Sequence, residues 1–501
     1  MNTTVPAARG SPDGRGPVRN PRPNRYAGPS LTRVTAASPS PSVKRPARPA
    51  LVLATVCAAL GIISIDVTVL HVAAPSIQRA LDPTPGELLW IIDVFPFVVA
   101  PLLLSAGVLG DRFGRRLFLV VGLAVFGLAS GWAAFAGDPT TLILARAVSA
   151  VGGSMAMPST MSMIRVAYPD RATRVRAVAI WSMTSAGAAA AGPVIGGFLV
   201  EHFWWGSVFL VNVPVCAVVI VAALAWTRES RSDRPARFDL VSQLLAVGAV
   251  LAACLAANEL ADHAVLVSAV SAVVSAGLVV AFLRRQRAAM AAGVQPTLDL
   301  GLFADRSFSA ALVAIFLAMF AIVGLDLQFA QHLQLSRGLA AFTAALMLLP
   351  LALATMAGGF CSPWLLRRLG HRRTISGGLV VAGLALVPVV ALGGAESFVV
   401  FGICTGVVGF SVEVVAVAAN DLIISSAGEH EVGGAAALEE IAYDLGGGFG
   451  VAVLGAVAAT AVVAGGDDGF VRAVGGSVVV LVAVGLVMAG LLRRADVQTR
   501  A

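Results

Sequence analysis

Charged side chains are scarce in this sequence. Asp, Glu, Lys and Arg together make up 13% of the 501 residues, against about 25% in soluble globular domains. Apolar residues reach 58%, and 52 glycines add to them. A soluble chain of this length would divide into several domains, each with a polar surface, so this composition excludes an ordinary globular protein.

Lysine is nearly absent, since Lys44 in the segment PSVKRP is the only one. A phosphate-binding loop of the type GxxxxGK[ST] requires a lysine after its glycines, so the chain is not expected to hydrolyse ATP. The motif HExxH is missing, the six histidines are dispersed, and the five cysteines stand singly without a CxxC pair. We therefore predict no metal site, no disulfide framework, no cofactor and no enzymatic activity.

The formal net charge of +7 is concentrated at the N-terminus. Residues 1–50 hold eight arginines and Lys44 against the single acid Asp13, so the rest of the chain is close to neutral. This segment is rich in Pro, Arg, Ser and Gly and lacks an apolar run, which predicts a disordered tail. Because the body of the chain is not basic, we predict no nucleic-acid partner.

From Leu51 onward, short polar clusters separate apolar runs of about 20 residues, the length that an α-helix needs to cross a bilayer. Barrel strands would instead need about ten residues of alternating polarity. We predict an all-α integral membrane protein with fourteen transmembrane helices. The predicted spans are 51–74, 88–109, 117–136, 140–163, 178–200, 206–226, 239–258, 264–283, 307–328, 339–361, 374–393, 397–420, 434–463 and 472–492.

Arginines accumulate in alternate loops, beginning with Arg112 and Arg115 after the second span, whereas the intervening loops hold mainly acids. Excess Lys and Arg stays on the cytoplasmic side of a membrane. We therefore predict that the tail at 1–50 and a short tail at 493–501 are both cytoplasmic, in a multi-pass protein of the plasma membrane.

A weak internal repeat divides the chain. The segment GVLGDRFGRR at 107–116, after the second span, is echoed by GFCSPWLLRRLGHRR at 359–373, after the tenth. If the two loops correspond, six-helix halves at 51–226 and 307–492 flank an inserted pair of helices at 239–283. In transporters built from repeats, the substrate site lies between the halves.

Ionisable side chains inside membrane spans are costly, so each one suggests a function. Glu440 and Asp444 are four residues apart and therefore share one helix face. The alternative for each acid is an internal salt bridge or a helix end at the level of the lipid headgroups. The candidates are Asp66, Asp93, Arg146, Glu439, Glu440 and Asp444, with Asp326, Glu413 and Asp421 in or at the ends of later spans.

Buried carboxylates can exchange a proton for a cation, because a low-dielectric cavity penalises the charged form while a cationic substrate stabilises it. Arg146 cannot release its proton, but its charge can act on a neighbouring acid. Trp90, Phe95 and Trp181 are candidates for lining a cavity that accepts varied ring systems. The only intramembrane histidine that could relay protons is His71, which we expect to be a packed, neutral imidazole.

The fifth predicted span carries the pattern GAAAAGPVIGG at 187–197. Small residues let helices pack closely, and Pro193 removes a backbone donor and kinks the helix. Close packing and a role in gating remain equally open for Gly187, Gly192, Pro193 and Gly196.

These segments resemble the major facilitator superfamily, in particular its fourteen-helix drug:proton antiporters, from about residue 51 to 492. GVLGDRFGRR resembles the loop motif after the second helix, LILARAVSAVGG the fourth-helix motif with Arg146 as its arginine, GAAAAGPVIGG the exporter motif of the fifth helix, and IDVTVLHVAAP the first-helix motif with Asp66. The resemblance implies two six-helix halves and proton coupling at Arg146. It also implies a loop that locks the halves, formed by Gly107, Asp111, Arg112, Gly114 and Arg115.

WIIDVFPF and EEIAYDLGG resemble the branch that expels quaternary ammonium antiseptics and dyes. This resemblance implies proton and cation binding at Asp93, Glu439, Glu440 and Asp444. Two departures stand out, since the loop after the tenth span is a degraded copy of the motif and His71 replaces an asparagine that is usual in the family.

The sequence thus predicts proton-driven efflux of drugs or antiseptics, with hydrophobic cations as the main cargo, by a bacterial protein that confers resistance. Its predicted partners are a small molecule, protons and membrane lipid, and we expect a monomer. The composition is typical of a GC-rich genome, so an exporter of an antibiotic that the host makes is one alternative. A non-transporting membrane receptor or scaffold that uses the basic tail is the other.

Overall fold

The computed structural model describes residues 48–231, 238–262, 264–292, 298, 300–391, 397–426, 432–463 and 469–498. Helices form the regular structure throughout these ranges. They are α1 Pro49–Leu81, α2 Pro85–Phe113, α3 Arg115–Ala134, α4 Pro139–Ala167, α5 Arg171–His202, α6 Ser207–Leu210, α7 Asn212–Trp226, α8 Leu240–Ala261, α9 Val265–Ala291, α10 Arg306–Gln331, α11 Ala341–Ala385, α12 Val387–Ala391, α13 Phe398–Ser426, α14 Val432–Val463 and α15 Gly469–Gln498, with a 3₁₀ turn at Leu300–Ala304 and a π-helical turn at His332–Ser336.

Short polar side chains begin several of these helices. Thr84 accepts a hydrogen bond from the amide of Glu87, whose carboxylate accepts one from the amide of Thr84, so α2 opens with a complete capping box. The carboxylates of Asp138 and Asp170 cap α4 and α5, each by accepting a hydrogen bond from a backbone amide in the first turn of its helix. Such caps satisfy backbone donors that the first turn of a helix leaves unpaired.

The described residues contain thirteen helical stretches that are long and apolar enough to cross a membrane. One of them, Ala341–Ala391, has 51 residues and is interrupted at Gly370, where φ is 73°. This left-handed conformation favours glycine, and the parts on either side are each long enough to span a bilayer. The stretches therefore supply the fourteen predicted spans, and the predicted loop after the tenth span is helical except at Gly370.

Two groups of helices pack mainly among themselves. In the first group α1 packs on α5 and α4 on both α2 and α3, while in the second α11 packs on α13 and α15, and α10 on α14. The groups are joined mainly through α1 with α10, α2 with α14, and α5 with α11, and α1 also contacts α11. The predicted architecture of two six-helix halves and an inserted pair, here α8 and α9, is confirmed.

The inserted helix α8 is fastened along α2. Near one end Asp262 accepts hydrogen bonds of 2.9 Å from the amide of Gly86 and from the hydroxyl of Thr84. Near the other end Gln243 donates to the carbonyl of Pro101 at 2.8 Å and accepts from Ser105. The helix α8 therefore lies beside α2 and α14, which carry several of the predicted acids.

Asp239 joins the two inserted helices outside their apolar stretches. It caps α8 and accepts two hydrogen bonds of 2.9 Å from Arg285 on α9. The bonds from Arg285 stabilise the charged carboxylate and hold the pKa of Asp239 well below its usual range.

Candidate functional site

Asp66 and Arg146 form an ion pair inside the first half of the bundle. Asp66 lies on α1 and Arg146 on α4, and each residue is 1% exposed. The other carboxylate oxygen of Asp66 accepts a hydrogen bond of 2.6 Å from Asn212 on α7, which also donates to Ser130 on α3 at 3.2 Å. The acid and the arginine that the sequence singled out therefore meet, with two further polar residues that it did not single out.

Two aromatic rings flank Arg146. Its guanidinium carbon lies 4.9 Å from the ring centroid of Phe95 and 5.8 Å from that of Phe209, which suits a cation–π attraction. Phe95 also packs edge-on against Phe126 and is 2% exposed. The structure thus places Phe95 in the core of the first half, beside Arg146, and not on an open surface.

The other predicted cavity aromatics remain partly exposed. Trp181 on α5 donates a hydrogen bond of 3.1 Å from its indole to the hydroxyl of Thr160 on α4. Trp90 on α2 is half-buried and packs against the core of the first half. Each indole therefore keeps part of its ring surface exposed.

Asp93 is fully buried on α2, and neither of its carboxylate oxygens has a hydrogen-bond partner among the described residues. Leu89 and Phe97 lie one turn before and one turn after it on the same face. Leu89 packs on Gly455 of α14, and the ring of Phe97 lies 4.9 Å from that of Phe449. Asp93 therefore lies where α2 contacts α14, and no described residue supplies it with a counter-charge.

A second group of acids lies in the other half and comprises Glu413 on α13 with Glu439, Glu440 and Asp444 on α14. Glu440 is close enough to Glu439 and Asp444 for their charges to interact, and Tyr443 is near all four acids. Asn420 hydrogen-bonds to Glu439. No ion pair within the described ranges involves these acids. We name them the acidic cluster.

The glycines of the fifth-helix motif differ in their surroundings. A Cβ added at Gly192 would meet Thr68 of α1 at 1.9 Å, and one at Gly196 would meet Val69 at 2.4 Å. Pro193 is buried between them. At Gly187 nothing lies within 4 Å. The second half of the motif thus packs α5 closely on α1, whereas Gly187 faces open space.

The loop motif at 107–116 is contacted by a residue that no sequence motif indicates. Glu229, after α7, accepts hydrogen bonds from the amides of Arg116 and Leu117 at 3.0 and 3.1 Å and thereby caps α3. Gly114 has φ of 129°, and a Cβ there would come within 2.5 Å of the Glu229 carboxyl group.

The charged residues of that loop lie at the end of α2. Asp111 pairs at 2.7 Å with Arg115, the first residue of α3, and Gly107 packs near Pro158 of α4. Arg112 lies over the ring of Phe113 at 5.6 Å. The resemblance implies that this loop locks the two halves, whereas the ion pair between Asp111 and Arg115 lies within the first half.

One further contact between ionisable groups was not predicted. Nδ1 of His71 on α1 lies 2.7 Å from Oδ2 of Asp326 on α10, and both residues are buried. Beside it, Gln334 donates a hydrogen bond of 3.0 Å to the carbonyl of Val72. His71 is therefore not an isolated packed imidazole, and it joins the first helix of one half to the first helix of the other.

The contacts between α5 and α11 lie near the end of α5. A Cβ at Gly197 would come within 2.8 Å of the backbone of Ala341 and Phe342, and Glu201 accepts a hydrogen bond of 3.1 Å from the amide of Phe342. The first half of α5 is largely exposed, as at Met183, which is 54% exposed. The halves thus touch where α1, α5 and α10 end, and α5 borders open space where it begins.

Comparison with known proteins agrees with this architecture. Residues 56–451 match the family model of the Major Facilitator Superfamily. The chain is 36% identical to the multidrug efflux pump LfrA of Mycolicibacterium smegmatis, over 83% of this chain and 82% of that protein. It is 35% identical to the methyl viologen resistance protein SmvA of Salmonella typhimurium, over 78% and 79%.

A solved structure of the POT family transporter PepTSo superposes with a TM-score of 0.68, covering 89% of this chain and 98% of that one at 15% identity, which supports the fold alone. The match over most of the chain and the two six-helix halves lead to one conclusion. The chain belongs to the Major Facilitator Superfamily and is a multi-pass membrane transporter, not an enzyme.

Proposed function

We propose that this transporter exports drug-like molecules, chiefly hydrophobic cations, in exchange for protons and thereby confers resistance on a bacterial cell. The observation that carries this proposal is the distribution of charge inside the bundle. Arg146 is bound to Asp66, whereas Asp93 and the acidic cluster have no cationic partner among the described residues. Acids in a low-dielectric interior without a counter-charge must be neutralised by a proton or by a bound cation.

Asp93 and the acidic cluster divide the exchange between them. Asp93 is buried against α14, where a cargo molecule would have to displace packed side chains, so we assign it to the proton. Glu440 and Asp444 are partly exposed and adjoin the half-exposed ring of Tyr443, and we assign them to the cation. Negative charge beside an aromatic ring suits a hydrophobic cation.

The transport cycle follows from this division. Facing outward, Asp93 takes up a proton. After the halves rock, Asp93 releases that proton inward and the acidic cluster accepts the cation. Under the predicted orientation, the open space beside the first half of α5 faces the cytoplasm, where an exporter collects its cargo. Both termini are cytoplasmic in this proposal, and a monomer in the plasma membrane suffices because both halves lie in one chain.

The named relatives support export over uptake, since one is a multidrug efflux pump and the other a methyl viologen resistance protein. Residues 1–47 of the predicted basic tail at 1–50 lie outside the described residues. We propose that it rests on anionic lipid and plays no part in transport. Deletion of residues 2–48 should then leave resistance intact, which a receptor or scaffold that works through the tail would not allow.

Everted membrane vesicles test the proposal directly. With an imposed proton gradient, vesicles that contain the native protein should accumulate a cationic dye, and Asp93→Asn should abolish the dependence on the gradient. Asp421→Asn is the matched control, because Asp421 pairs with His371 at the end of α13, away from Asp93. Undiminished gradient-driven uptake in Asp93→Asn would remove proton coupling from Asp93.

A resistance profile then separates the broad exporter from a dedicated one. Cells that express the protein should survive several unrelated cationic dyes and antiseptics. Protection against a single antibiotic, with none against dyes, would instead indicate the exporter of a compound that the host makes.

A further inference from the structure

The contact between His71 and Asp326 joins the two halves of the transporter inside the membrane. His71 is 2% exposed and Asp326 is 9% exposed, and Nδ1 and Oδ2 are 2.7 Å apart. The hydrogen bond from Gln334 to the carbonyl of Val72 adds a second polar link between the same regions. We refer to His71 and Asp326 as the interhalf pair.

The described residues on the helices around this pair include a small number of other charged or titratable groups. Asp66, five residues before His71 on α1, is bound to Arg146 of α4. Asp93 of α2 lies at a depth in the bundle similar to that of Asp326. The helix α14 relates the two, because its Gly455 packs on Leu89 of α2 and its Gly450 packs on Gly324 of α10. The neighbouring elements also carry Glu201 of α5, which accepts from the Phe342 amide, His332, which stacks on Phe470 of α15, and Arg337, which follows the π-helical turn.

The acidic cluster lies farther toward the opposite end of the bundle. The helices α10 and α14 run in the same direction, with Phe316 packed on Gly446 and Gly324 on Gly450. Asp444 therefore lies at least ten residues of α10 away from Asp326 along the axis, about 15 Å at 1.5 Å per residue. His71 and Asp326 are therefore a separate ionisable group from the acids that we assign to the cargo.

We propose that the interhalf pair is a further proton site of the transport cycle, at which a proton on His71 holds the halves together on the side where α1 and α10 end. A protonated imidazole and a carboxylate attract strongly in a low-dielectric interior. When the halves separate on that side, water enters and the attraction is lost. The closed arrangement therefore binds one proton more readily than the open one does.

This inference rests on the proposed proton-coupled export and extends it. Under the predicted orientation, the interhalf pair lies in the outer half of the membrane. Acid outside the cell protonates His71 after cargo has left, which favours closure on that side and the return of the transporter to its inward-facing form. An asparagine at position 71 can bond to Asp326 but cannot hold this proton.

Linkage gives the expected size of the effect. If closure on the outer side takes up one proton, the ratio of open to closed protein rises by at most about tenfold per pH unit. The rise is confined to the pH range in which the closed form holds the proton and the open form does not. Other acids add their own contributions. The inference therefore concerns the part of this slope that disappears when His71 is replaced.

Distances between spin labels measure that ratio in the full chain. Labels on Ala80→Cys and Ser336→Cys report the separation at the ends of α1 and of the turn after α10, and both residues are exposed. Cys361→Ser removes the native cysteine that is exposed. The labelled protein in lipid nanodiscs is titrated from about pH 5 to pH 8.

We expect the open population to rise with pH in the native background, and the slope to fall in both His71→Asn and Asp326→Asn. His202→Asn is the matched control, because this exposed histidine lies at the end of α5 and stacks on Phe198. It should keep the full slope. An equal slope in His71→Asn and in the control, or no slope in the native background, would overturn the inference.

Transport assays keep this result distinct from the proposed function. If the label distance in native protein depends on pH but an imposed proton gradient drives no dye uptake, the export proposal is refuted and the inference about the interhalf pair stands. If the native protein takes up dye under a proton gradient but His71→Asn does not change the pH slope of the label distance, the inference about the interhalf pair is refuted and the export proposal stands. Should either single variant fail to fold, the native titration and His71→Gln still decide the question.

Discussion

Arg146 reaches from α4 to the carboxylate of Asp66 on α1, and the pair is shielded from solvent on every side, with Phe95 and Phe209 against the guanidinium. A buried pair of this kind is stable only while both members are present, because either charge alone would be stranded in a low-dielectric interior. Asp66 is therefore bound to a permanent positive charge, whereas Asp93 is not.

Substitution of one member of this pair should destabilise the protein. Removing one partner of a buried ion pair costs about 3–5 kcal/mol, so Asp66→Asn and Arg146→Gln should each lower the unfolding midpoint in detergent markedly. The double variant Asp66→Asn with Arg146→Gln should recover part of the loss, because no charge is then left unpaired.

The control for this experiment is Arg115→Gln, which breaks the partly exposed pair with Asp111. Exposed pairs contribute at most about 1 kcal/mol, so its midpoint should hardly move. Equal midpoints in Asp66→Asn and Arg115→Gln would contradict the interpretation of Asp66 as a structural anchor.

The same chemical change at Asp93 should have the opposite effect on stability. Both oxygens of Asp93 lack partners among the described residues, so replacing its carboxyl group by an amide leaves no cation unpaired. We expect the unfolding midpoint of Asp93→Asn to equal or exceed the native value while proton-driven dye uptake is lost. A large fall in the midpoint, comparable to that of Asp66→Asn, would show that Asp93 has a structural partner.

The sequence anticipated the helices well because a span of apolar residues near the bilayer thickness is a strong signal in itself. It anticipated their ends less well. The helix α15 continues to Gln498, past the predicted end at 492, and α11 continues through the predicted loop at 362–373. Hydrophobicity marks where lipid begins, whereas a helix ends only where its backbone bonding ends.

The site was predicted in part. The residues Asp66 and Arg146 were named separately, yet their pairing depends on how α1 and α4 pack, which no local pattern contains. The pair of His71 with Asp326 could have been found from the repeat, since each lies about 20 residues into the first helix of its half. Glu229 gave no signal, because only the folded loop brings it to the first turn of α3.

The glycines of α5 allow a matched comparison. A Cβ at Gly197 would press on the backbone of Ala341 and Phe342 at 2.8 Å, which no side-chain rotation can relieve, whereas Gly187 has free space. Overpacking of this kind costs about 1–3 kcal/mol. We expect Gly197→Ala to lower the unfolding midpoint and to weaken the contact between the halves, and Gly187→Ala to be tolerated.

Fluorescence-monitored thermal unfolding of the two variants checks this prediction, and dye uptake in vesicles shows whether transport follows stability. If Gly187→Ala abolished uptake without changing the midpoint, the gating interpretation of the motif would be favoured over close packing. Equal midpoints in the two variants would mean that α5 and α11 do not pack as described.

The cap that Glu229 provides for α3 should matter for the loop motif. Its carboxylate accepts two amide hydrogen bonds at a helix N-terminus, where a negative charge is stabilising. Glu229→Ala should therefore destabilise the loop by about 1 kcal/mol, the usual effect of losing a cap, and reduce the rate of dye uptake. Ser230→Ala is the control, since Ser230 bonds to Arg115 through its backbone carbonyl and to Glu229 through its backbone amide, and alanine keeps both. Similar uptake in both variants would separate the cap from transport.

The acidic cluster should distinguish cargo by charge. Glu440 and Asp444 share one face of α14 and adjoin Tyr443, so the variant Glu440→Gln with Asp444→Asn keeps the shape of the site and removes its negative charge. For a monovalent cationic dye, we expect the dissociation constant to rise about tenfold, which corresponds to 1.4 kcal/mol. A neutral dye of similar size should bind as before, because its contacts with aromatic and apolar groups remain.

Dye polarisation in detergent measures both constants, and Asp421→Asn controls for the loss of an acid elsewhere in the same half. Parallel weakening of both dyes would mean that these acids shape the site but do not select charge, and the cation would then have to be neutralised elsewhere, with Glu413 on α13 as the next residue to test.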